Sequence, residues 1–230
     1  MKSEAVKDLL QKFPLFKGLT DSEIEPIVDL AKNRTYRHRT HIFMQGDPLT
    51  NVYFIHQGKV KIYKTDFHGK EQIVNVLQTG DMFPHQGFFR QDDYPAHAEV
   101  IEDATLIYIP ISSFESFLVN HPEICVKLFR VLGDIIVDLQ ARLEEKLLHN
   151  TYEQIIMLLI RLSKGYGKET SDGMTKLSTN FTNRELANMI GSSRETVSRT
   201  LTQLKKQHLL TTDKSGAIML DIDALEEELF

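Results

Sequence analysis

Apolar and polar positions change their period twice along the chain. Residues 4–33 have the spacing of amphipathic helices, which Pro14 and Pro26 are expected to break. Residues 34–111 instead contain short runs of β-branched and aromatic residues between turn signals, a pattern typical of an antiparallel roll or barrel. The expected strands are 52–55, 60–63, 72–77 and 105–109, and the expected turns are 46–48, 57–59, 67–70 and 79–81.

A long helix is predicted after the strand region. From Pro122 to about Asn150 the sequence contains one glycine, Gly133, and no further proline. Because the far end of this helix is too polar to bury in a small domain, we interpret it as a dimerisation helix. A core helix of one domain has the same period and is the alternative. The apolar residues at coiled-coil spacing, which form the expected dimer seam, are Phe129, Leu132, Ile136, Leu139 and Leu143.

The C-terminal part of the chain has the pattern of a separate domain. An apolar face from Tyr152 to Leu162 predicts a helix that ends at 165–167. Residues 209–220 are interpreted as a two-stranded wing that turns at 214–216. Asp223 is expected to cap a short last helix.

Between the first of these helices and the wing lies the strongest functional pattern. Thr182 followed by Glu185 is a capping box that starts a helix, and Gly191 ends that helix with a turn that only glycine adopts cheaply. Ser192 or Ser193 then caps a second helix. Two short helices joined by a tight turn with glycine predict a helix–turn–helix. The apolar face of the second helix consists of Val197, Leu201 and Leu204.

The second helix of this motif presents charged and polar side chains near its N-terminus, where a recognition helix meets base edges. Arginine can donate two hydrogen bonds to guanine, and glutamate can accept one from cytosine. We therefore predict DNA recognition, with a merely solvated helix face as the alternative. The candidate DNA-binding residues are Thr182, Arg184, Ser193, Arg194, Glu195, Ser198 and Arg199.

Charge and cysteine content narrow the function classes. The net charge of −5 argues against a nucleic-acid binder, but residues 182–214 contain six basic and three acidic residues. The single Cys125 cannot form an intrachain disulfide or supply the four thiolates of an iron–sulfur cluster, and it suits a reducing cytoplasm. Cys125 is either a redox switch or a buried structural cysteine. Because no signal peptide or membrane-spanning run is found, we expect a cytoplasmic protein with no membrane partner.

The motif at 182–187 and 194–199 resembles the helix–turn–helix of the Crp/Fnr family of regulators. Residues 52–60 and 66–71 resemble the glycine-marked hairpins of the family's cyclic-nucleotide-binding-type roll, and 122–150 matches its central dimer helix. The resemblance covers nearly the whole chain and implies a homodimer that binds double-stranded DNA and works with RNA polymerase. The implied fold is α+β, with an N-terminal antiparallel β-roll of the double-stranded jelly-roll type (1–120), a dimerisation helix (121–149) and a C-terminal winged helix–turn–helix (150–230).

The sequence departs from the family pattern where the cyclic-AMP-binding members hold the ribose and phosphate. Those members use a Gly-Glu-Leu stretch and a later Arg-Ser or Arg-Thr pair, but residues 83–89 and 94–98 of this chain contain no arginine or lysine. Arg90 lies between the two stretches, in an expected loop. We therefore expect neither cyclic AMP nor an iron–sulfur cluster to be used, and no other cofactor. The effector, if there is one, is unknown, and the candidate effector-pocket residues are His85, Gln86, Gly87, His97, Leu139 and Gln140.

His85 and His97 leave two interpretations open. They could bind a metal, a haem or an acidic ligand, or they could be ordinary members of a set of nine histidines, and we expect no metal site. No Ser-His-Asp, phosphate-loop or paired-carboxylate pattern stands out, so we do not expect an enzyme. The predicted function is a transcription regulator that binds a TGTGA-like or TTGAT-like palindrome, an activator with repression left open as the alternative. Regulators of anaerobic or arginine metabolism are candidate relatives, and a cyclic-nucleotide-responsive signalling module that does not act on DNA is the alternative.

Overall fold

The computed structural model describes residues 2–89 and 92–229, which fall into two compact units, Met1–Val137 and Asp138–Phe230. None of the helices in the described ranges is long and apolar enough to cross a membrane. The first unit contains the helices α1 (Lys2–Leu10), α2 (Asp21–Val28), α3 (Ile111–Asn120) and the first part of α4 (Pro122–Leu148). Its strands are β1 (Lys32–Tyr36), β2 (His41–Phe43), β3 (Asn51–Thr65), β4 (Glu71–Gln78), β5 (Met82–Phe83) and β6 (His97–Pro110).

The strands of the first unit form an antiparallel roll, which confirms the predicted fold class. They pair in the order β1-β6-β3-β4, with β2 on β6 and β5 on β3. Because successive side chains of a strand point to opposite faces, β3 serves two apolar clusters. Phe54 packs with Phe16, from the segment between α1 and α2, and with Phe114 of α3, whereas Tyr53 and Ile55 pack inside the roll.

The turn predicted at 57–59 is wrong, because this segment lies inside the continuous strand β3. The pairing of β3 with β6 shifts register between Ile55 and Val60, as at a β-bulge. Gly58 has a φ of +93°, and a Cβ on it would lie 2.3 Å from the carbonyl oxygen of Asp103. The glycine therefore marks a close approach of two strands rather than a chain reversal.

Three further expectations for the first unit need correction. Pro26 does not break a helix, since it lies within α2. The strand predicted at 105–109 is longer and begins at His97. The end of the stretch 94–98, where the cyclic-AMP-binding members have their arginine pair, is therefore part of a regular strand. The first strand begins at Lys32, inside the region that was expected to be helical. Propensity is a weak guide at each of these places because tertiary contacts override it.

The second unit contains the end of α4 and a winged helix–turn–helix. The wing predicted at 209–220 is the hairpin of β9 (Leu210–Thr212) and β10 (Ile218–Leu220), but this hairpin belongs to a four-stranded sheet with β7 (Gly167–Glu169) and β8 (Thr175–Leu177), in the order β7-β8-β10-β9. The sequence did not predict β7 and β8, which are three residues each and too short for an alternating pattern. Its elements are α5 (Thr151–Tyr166), β7 (Gly167–Glu169), β8 (Thr175–Leu177), α6 (Asn183–Ile190), α7 (Arg194–Lys206), β9 (Leu210–Thr212), β10 (Ile218–Leu220) and α8 (Ile222–Glu227).

The cap of the last helix differs from the prediction by two residues. The side chain of Asp221, not that of Asp223, accepts a hydrogen bond from the backbone N–H of Ala224 at 3.1 Å. Asp223 lies in the first turn of α8, where a negative charge is still favourable for the helix dipole. The α8 helix therefore begins at Ile222, two residues before the start that a cap at Asp223 would give.

Candidate DNA interface and effector pocket

The first helix of the helix–turn–helix begins with the predicted capping box. The hydroxyl of Thr182 accepts a hydrogen bond from the backbone N–H of Glu185 at 3.2 Å. The Glu185 carboxylate in turn accepts one from the backbone N–H of Thr182 at 2.8 Å. Two of the N–H groups that a helix start leaves without partners are thereby satisfied. The hydroxyl of Thr182, a candidate DNA contact, also donates to Glu185 and is thus engaged within its own chain.

The turn between the two helices is fixed by backbone geometry. Gly191 adopts a φ of +70° and its N–H donates to the carbonyl of Ala187. Of the two candidate serines, Ser193 is the cap, since its hydroxyl accepts from the backbone N–H of Thr196 at 3.1 Å. Ala187 is buried, and its small side chain allows the two helices to pack closely. The buried residues of α7 include Val197, Leu201 and Leu204, as the sequence predicted, and Thr200.

With its apolar side packed inward, α7 turns its other side to solvent. Arg194, Glu195, Ser198 and Arg199 are all exposed and lie in the first two turns of the helix. Arg199 makes a long contact of 3.4 Å with the hydroxyl of Thr196. The structure therefore places four of the seven candidate DNA-binding residues together on one accessible surface. The α7 N-terminus behind them adds a partial positive charge that suits a phosphate.

Arg184 and the wing extend the basic surface of the second unit. Arg184 is exposed near the start of α6. Beside the wing, Lys176 of β8 lies 2.5 Å from the carboxylate of Asp213 and holds the pKa of that carboxyl well below its usual range. The nearby Lys214 is exposed at the wing turn. The ion pair neutralises the acidic residue of this turn, so that its remaining charge is positive.

The predicted dimer seam on α4 divides into two groups. Phe129, Ile136 and Leu143 are spaced by seven residues and are 70%, 56% and 60% exposed, so they form an apolar stripe on one face of the helix. Leu139 is also exposed. Leu132 differs, because it packs against the apolar cluster of its own unit and is not part of the exposed stripe. Sequence reasoning missed Leu147, which is 73% exposed and continues the stripe by one turn.

His85 follows β5 in the first unit and is half-buried. Burial lowers the pKa of its imidazole to about 4, so the ring is neutral at pH 7. A neutral imidazole can donate or accept a hydrogen bond, but it supplies no cation for a phosphodiester. His85 therefore does not replace the arginine of the cyclic-AMP-binding pattern.

His97 lies on the opposite side of β6 from the interior of the roll. Ala98 and Val100 are buried inside the roll, and strand alternation points His97 the other way. Its ring stacks on Tyr63 with the centroids 4.8 Å apart, and its Nδ1 accepts a hydrogen bond from the Gln45 N–H at 3.2 Å. Burial and the neighbouring His41 lower the pKa of His97. His97 therefore does not point into the interior of the roll, and its share in an effector pocket with His85 stays a prediction.

The other candidate effector residues belong to both units. Gln86 is exposed, and Gly87 packs so closely on Leu49 that a Cβ would lie 2.4 Å from its Cδ2. Leu139 and Gln140 belong to the second unit and are exposed, so their share in a pocket stays a prediction. Arg90, the cation of the expected loop, lies outside the described residues. Within those residues, no group of three or more His, Cys, Asp or Glu side chains is placed to hold a metal ion.

Cys125 occupies the first turn of α4. Its side chain is half-buried against the apolar cluster of the first unit, and its Sγ donates to the carbonyl of Leu118 at 3.2 Å. This packing favours the structural interpretation of the cysteine over the redox switch.

Two family models match the chain. A cyclic nucleotide-binding domain matches residues 33–121, and a Crp-like helix-turn-helix domain matches residues 153–228. The chain is 27% identical over 209 residues to an anaerobic regulatory protein of Bacillus subtilis, an alignment that covers 90% of this chain and 87% of that protein. It is 22% identical over 218 residues to a CRP-like cAMP-activated global transcriptional regulator of Mycobacterium tuberculosis, covering 95% and 97% of the two chains.

The fold is also similar to that of solved structures. A mutant of CooA from Carboxydothermus hydrogenoformans superposes with a TM-score of 0.75 at 21% identity, over 93% of this chain and 92% of that one. The cyclic nucleotide-binding domain and the helix-turn-helix domain thus follow one another along this chain, and both curated relatives are described as regulators. The chain belongs to the Crp/Fnr family of DNA-binding transcription regulators.

Proposed function

We propose that this regulator binds an inverted DNA repeat as a homodimer, with one α7 in the major groove of each half-site. The observation that carries the proposal is a group of exposed side chains on α7, a helix whose start is fixed by a cap and whose apolar side is buried. These side chains are Arg194, Glu195, Ser198 and Arg199. These side chains can read guanine and cytosine edges. The proposed half-site is TGTGA-like, and a TTGAT-like half-site is the alternative because Ser198 resembles the Fnr branch.

Base reading is tested by selecting bound duplexes from a random library and titrating the enriched sequence in gel-shift assays. Glu195→Ala should relax the preference at one base position and cost about 1–3 kcal/mol there. Glu226→Ala, which removes an exposed carboxylate from α8, is the matched control and should leave the profile unchanged. A loss that is the same for every base change would mean that Glu195 does not read a base.

The dimer is supported by the stripe of Phe129, Ile136 and Leu143, which a soluble helix rarely leaves uncovered. A second copy of α4 would bury this stripe in a two-fold interface and place the half-sites about one helical turn apart. Ile136→Asp would put an unpaired charge into the seam and should yield monomers in sedimentation. Leu132→Ala is the contrasting variant, since Leu132 packs within its own chain and its loss should lower stability more than dimerisation. An Ile136→Asp protein that remained dimeric would contradict the assignment.

We further propose that cyclic AMP does not switch this protein at physiological concentration. His85 is neutral, and neither Pro95 nor Ala96 can pair with a phosphate as an arginine does. Either another effector binds the roll or the dimer is already competent for DNA. Calorimetric titration with cyclic AMP, paired with DNA-shift assays, tests this. Micromolar binding that raised DNA affinity about tenfold, equal to about 1.4 kcal/mol of coupling, would contradict it.

RNA polymerase is the proposed protein partner, by analogy with the family. Transcription in vitro from a promoter that carries the selected site should change when the protein is added. An increase would identify an activator and a decrease a repressor. The same promoter with a scrambled site is the control, and an equal effect on both templates would argue against a site-specific regulator.

A further inference from the structure

The junction between α4 and α5 consists of two residues, His149 and Asn150, and side chains hold it in place. The Asn150 side chain caps α5 by accepting from the backbone N–H groups of Tyr152 at 2.9 Å and Glu153 at 3.2 Å. Gln154, which is buried in the first part of α5, donates from its Nε2 to the carbonyl of His149 at 2.7 Å. The junction is thus hydrogen-bonded on both sides and is not a free hinge within the second unit.

Lys146 connects the last turn of α4 to both helices that follow. Its Nζ donates to the backbone carbonyl of Ile190 at 3.1 Å and lies 3.4 Å from the Oε1 of Gln154. Ile190 is the last residue of α6, where carbonyls have no partner inside the helix and the helix dipole favours a cation. One ammonium group therefore joins α4, α5 and the first helix of the helix–turn–helix.

A neighbouring ion pair strengthens the same connection. Arg161 of α5 donates to both carboxylate oxygens of Glu145 at 2.7 and 2.8 Å, and both side chains are largely shielded from solvent. The seam residues Leu143 and Leu147 lie in the same two turns of α4 but are exposed. These turns thus carry dimer-seam side chains on one face and contacts to the DNA-binding domain on another.

We propose that Lys146 and Gln154 are positioning residues that lock the seam end of α4 to the helix–turn–helix. In the dimer, this lock would hold the two α7 helices at a fixed separation. The inference rests on the proposed function, because it needs a dimer that reads an inverted repeat. A stiff connection restricts binding to one half-site spacing, whereas a loose connection tolerates several spacings.

The test is a spacing profile measured with the full-length protein. Duplexes carry two inverted copies of the selected half-site, with the spacer lengthened or shortened by one or two base pairs, and one duplex carries a single half-site. Wild type should lose about tenfold in affinity when the spacer changes by one base pair. Lys146→Met and Gln154→Met should lose less than about threefold, with the affinity for the single half-site unchanged. Lys164→Met, an exposed lysine of α5 with the same change of charge, is the control and should behave as wild type.

The outcomes separate the lock from the proposed function. If the wild-type profile is steep and Lys146→Met is dimeric and equally steep, the lock is wrong and the proposed function stands. A flat wild-type profile, or a wild-type monomer in sedimentation, overturns the dimer on an inverted repeat and the lock with it. Because Gln154 is buried, its variant is checked for folding by circular dichroism. If Gln154→Met is unfolded, the test rests on Lys146→Met alone, since Lys146 is exposed.

Hydrogen exchange provides a second readout that needs no DNA. In the free full-length protein, the amides of residues 145–150 should exchange about tenfold faster in Lys146→Met than in wild type. In wild type, the contacts of Lys146 to Gln154 and Ile190 must break before this segment opens, and the variant lacks them. The amides of α8 serve as an internal reference. Equal exchange rates in wild type and variant would overturn the lock.

Discussion

Gly58 in the first unit and Gly191 in the second share a left-handed backbone, with φ values of +93° and +70°, but they have different surroundings. A Cβ on Gly58 would lie 2.3 Å from the carbonyl oxygen of Asp103, which belongs to another strand. The N–H of Gly191 bonds to the carbonyl of Ala187, four residues earlier in the same motif. The first glycine therefore permits a contact between distant segments, and the second permits a local turn.

The same difference separates the two units as a whole. The roll depends on pairs such as Tyr63 with His97, which are far apart in the sequence. The helix–turn–helix depends on caps such as Thr182 with Glu185, only three residues apart. Substitutions in the roll should therefore cost more and spread further than comparable substitutions in the helix–turn–helix. Four predictions test this contrast.

Gly58→Ala should have the largest effect. The added Cβ would overlap a backbone oxygen and would also strain a positive φ, so the free energy of unfolding of the roll should fall by about 3–5 kcal/mol. Residue-resolved hydrogen exchange should show lost protection in β3 and β6 but not in α7. Gly46→Ala is the matched control, since Gly46 has a φ of +87° and, apart from its chain neighbours, no residue lies within 4 Å of the added Cβ. It should cost only the backbone strain of about 1–2 kcal/mol, and equal losses in the two variants would contradict the contact.

His85 should make the first unit sensitive to acid. Burial lowers the pKa of the folded-state imidazole to about 4 from its ordinary 6.5, so below pH 6.5 the unfolded chain takes up a proton that the folded chain resists. The stability due to the neutral ring is full above pH 6.5 and is lost as the pH falls towards 4. His85→Gln should reduce this acid loss by about 1–3 kcal/mol in denaturant titrations. The exposed His68→Gln should leave the pH profile unchanged, and if His85→Gln did so too, the burial argument would fail.

Gly191→Ala should destabilise the second unit by about 1–2 kcal/mol, because a side chain disfavours the left-handed conformation. Gly191→Asn should cost less, since asparagine tolerates that region of the backbone map. Exchange protection should fall in α6 and α7 and remain in β3. A loss in Gly191→Ala as large as that in Gly58→Ala would remove the distinction between the two glycines.

Ser193→Ala should have the smallest effect, about 1 kcal/mol, because it removes one exposed hydroxyl, which accepts from the N–H of Thr196 and is hydrogen-bonded to the Thr196 hydroxyl at 3.0 Å. Ser193→Asp keeps a capping oxygen and should retain the wild-type stability. Thermal unfolding followed by circular dichroism measures both variants. Equal destabilisation by alanine and aspartate would mean that the hydroxyl acts through something other than the cap.

The sequence by itself determined the helix–turn–helix and the order of the units. Thr182 and Gly191 were identifiable, and the cap of α7 was narrowed to Ser192 or Ser193, because a cap or a left-handed turn depends on residues within one helical turn. The apolar face of α7 was identifiable for the same reason, since its period is local. The seam on α4 was predicted in the same way, although the pattern alone did not distinguish Leu132 from the exposed residues around it.

Only the tertiary structure decided what Gly58, His97 and Lys146 contact. The carbonyl next to Gly58, the Tyr63 ring beneath His97 and the Ile190 carbonyl at Lys146 all come from segments tens of residues away in the sequence. A shift of one residue in strand register moves every side chain to the other face, and the local pattern of a strand does not show which partner strand and which bulges set its register. Which side of β6 carries His97 is therefore set by the pairing of β6 with β3. The contacts that anchor the end of α4 are likewise set by the way in which α4, α5 and α6 pack.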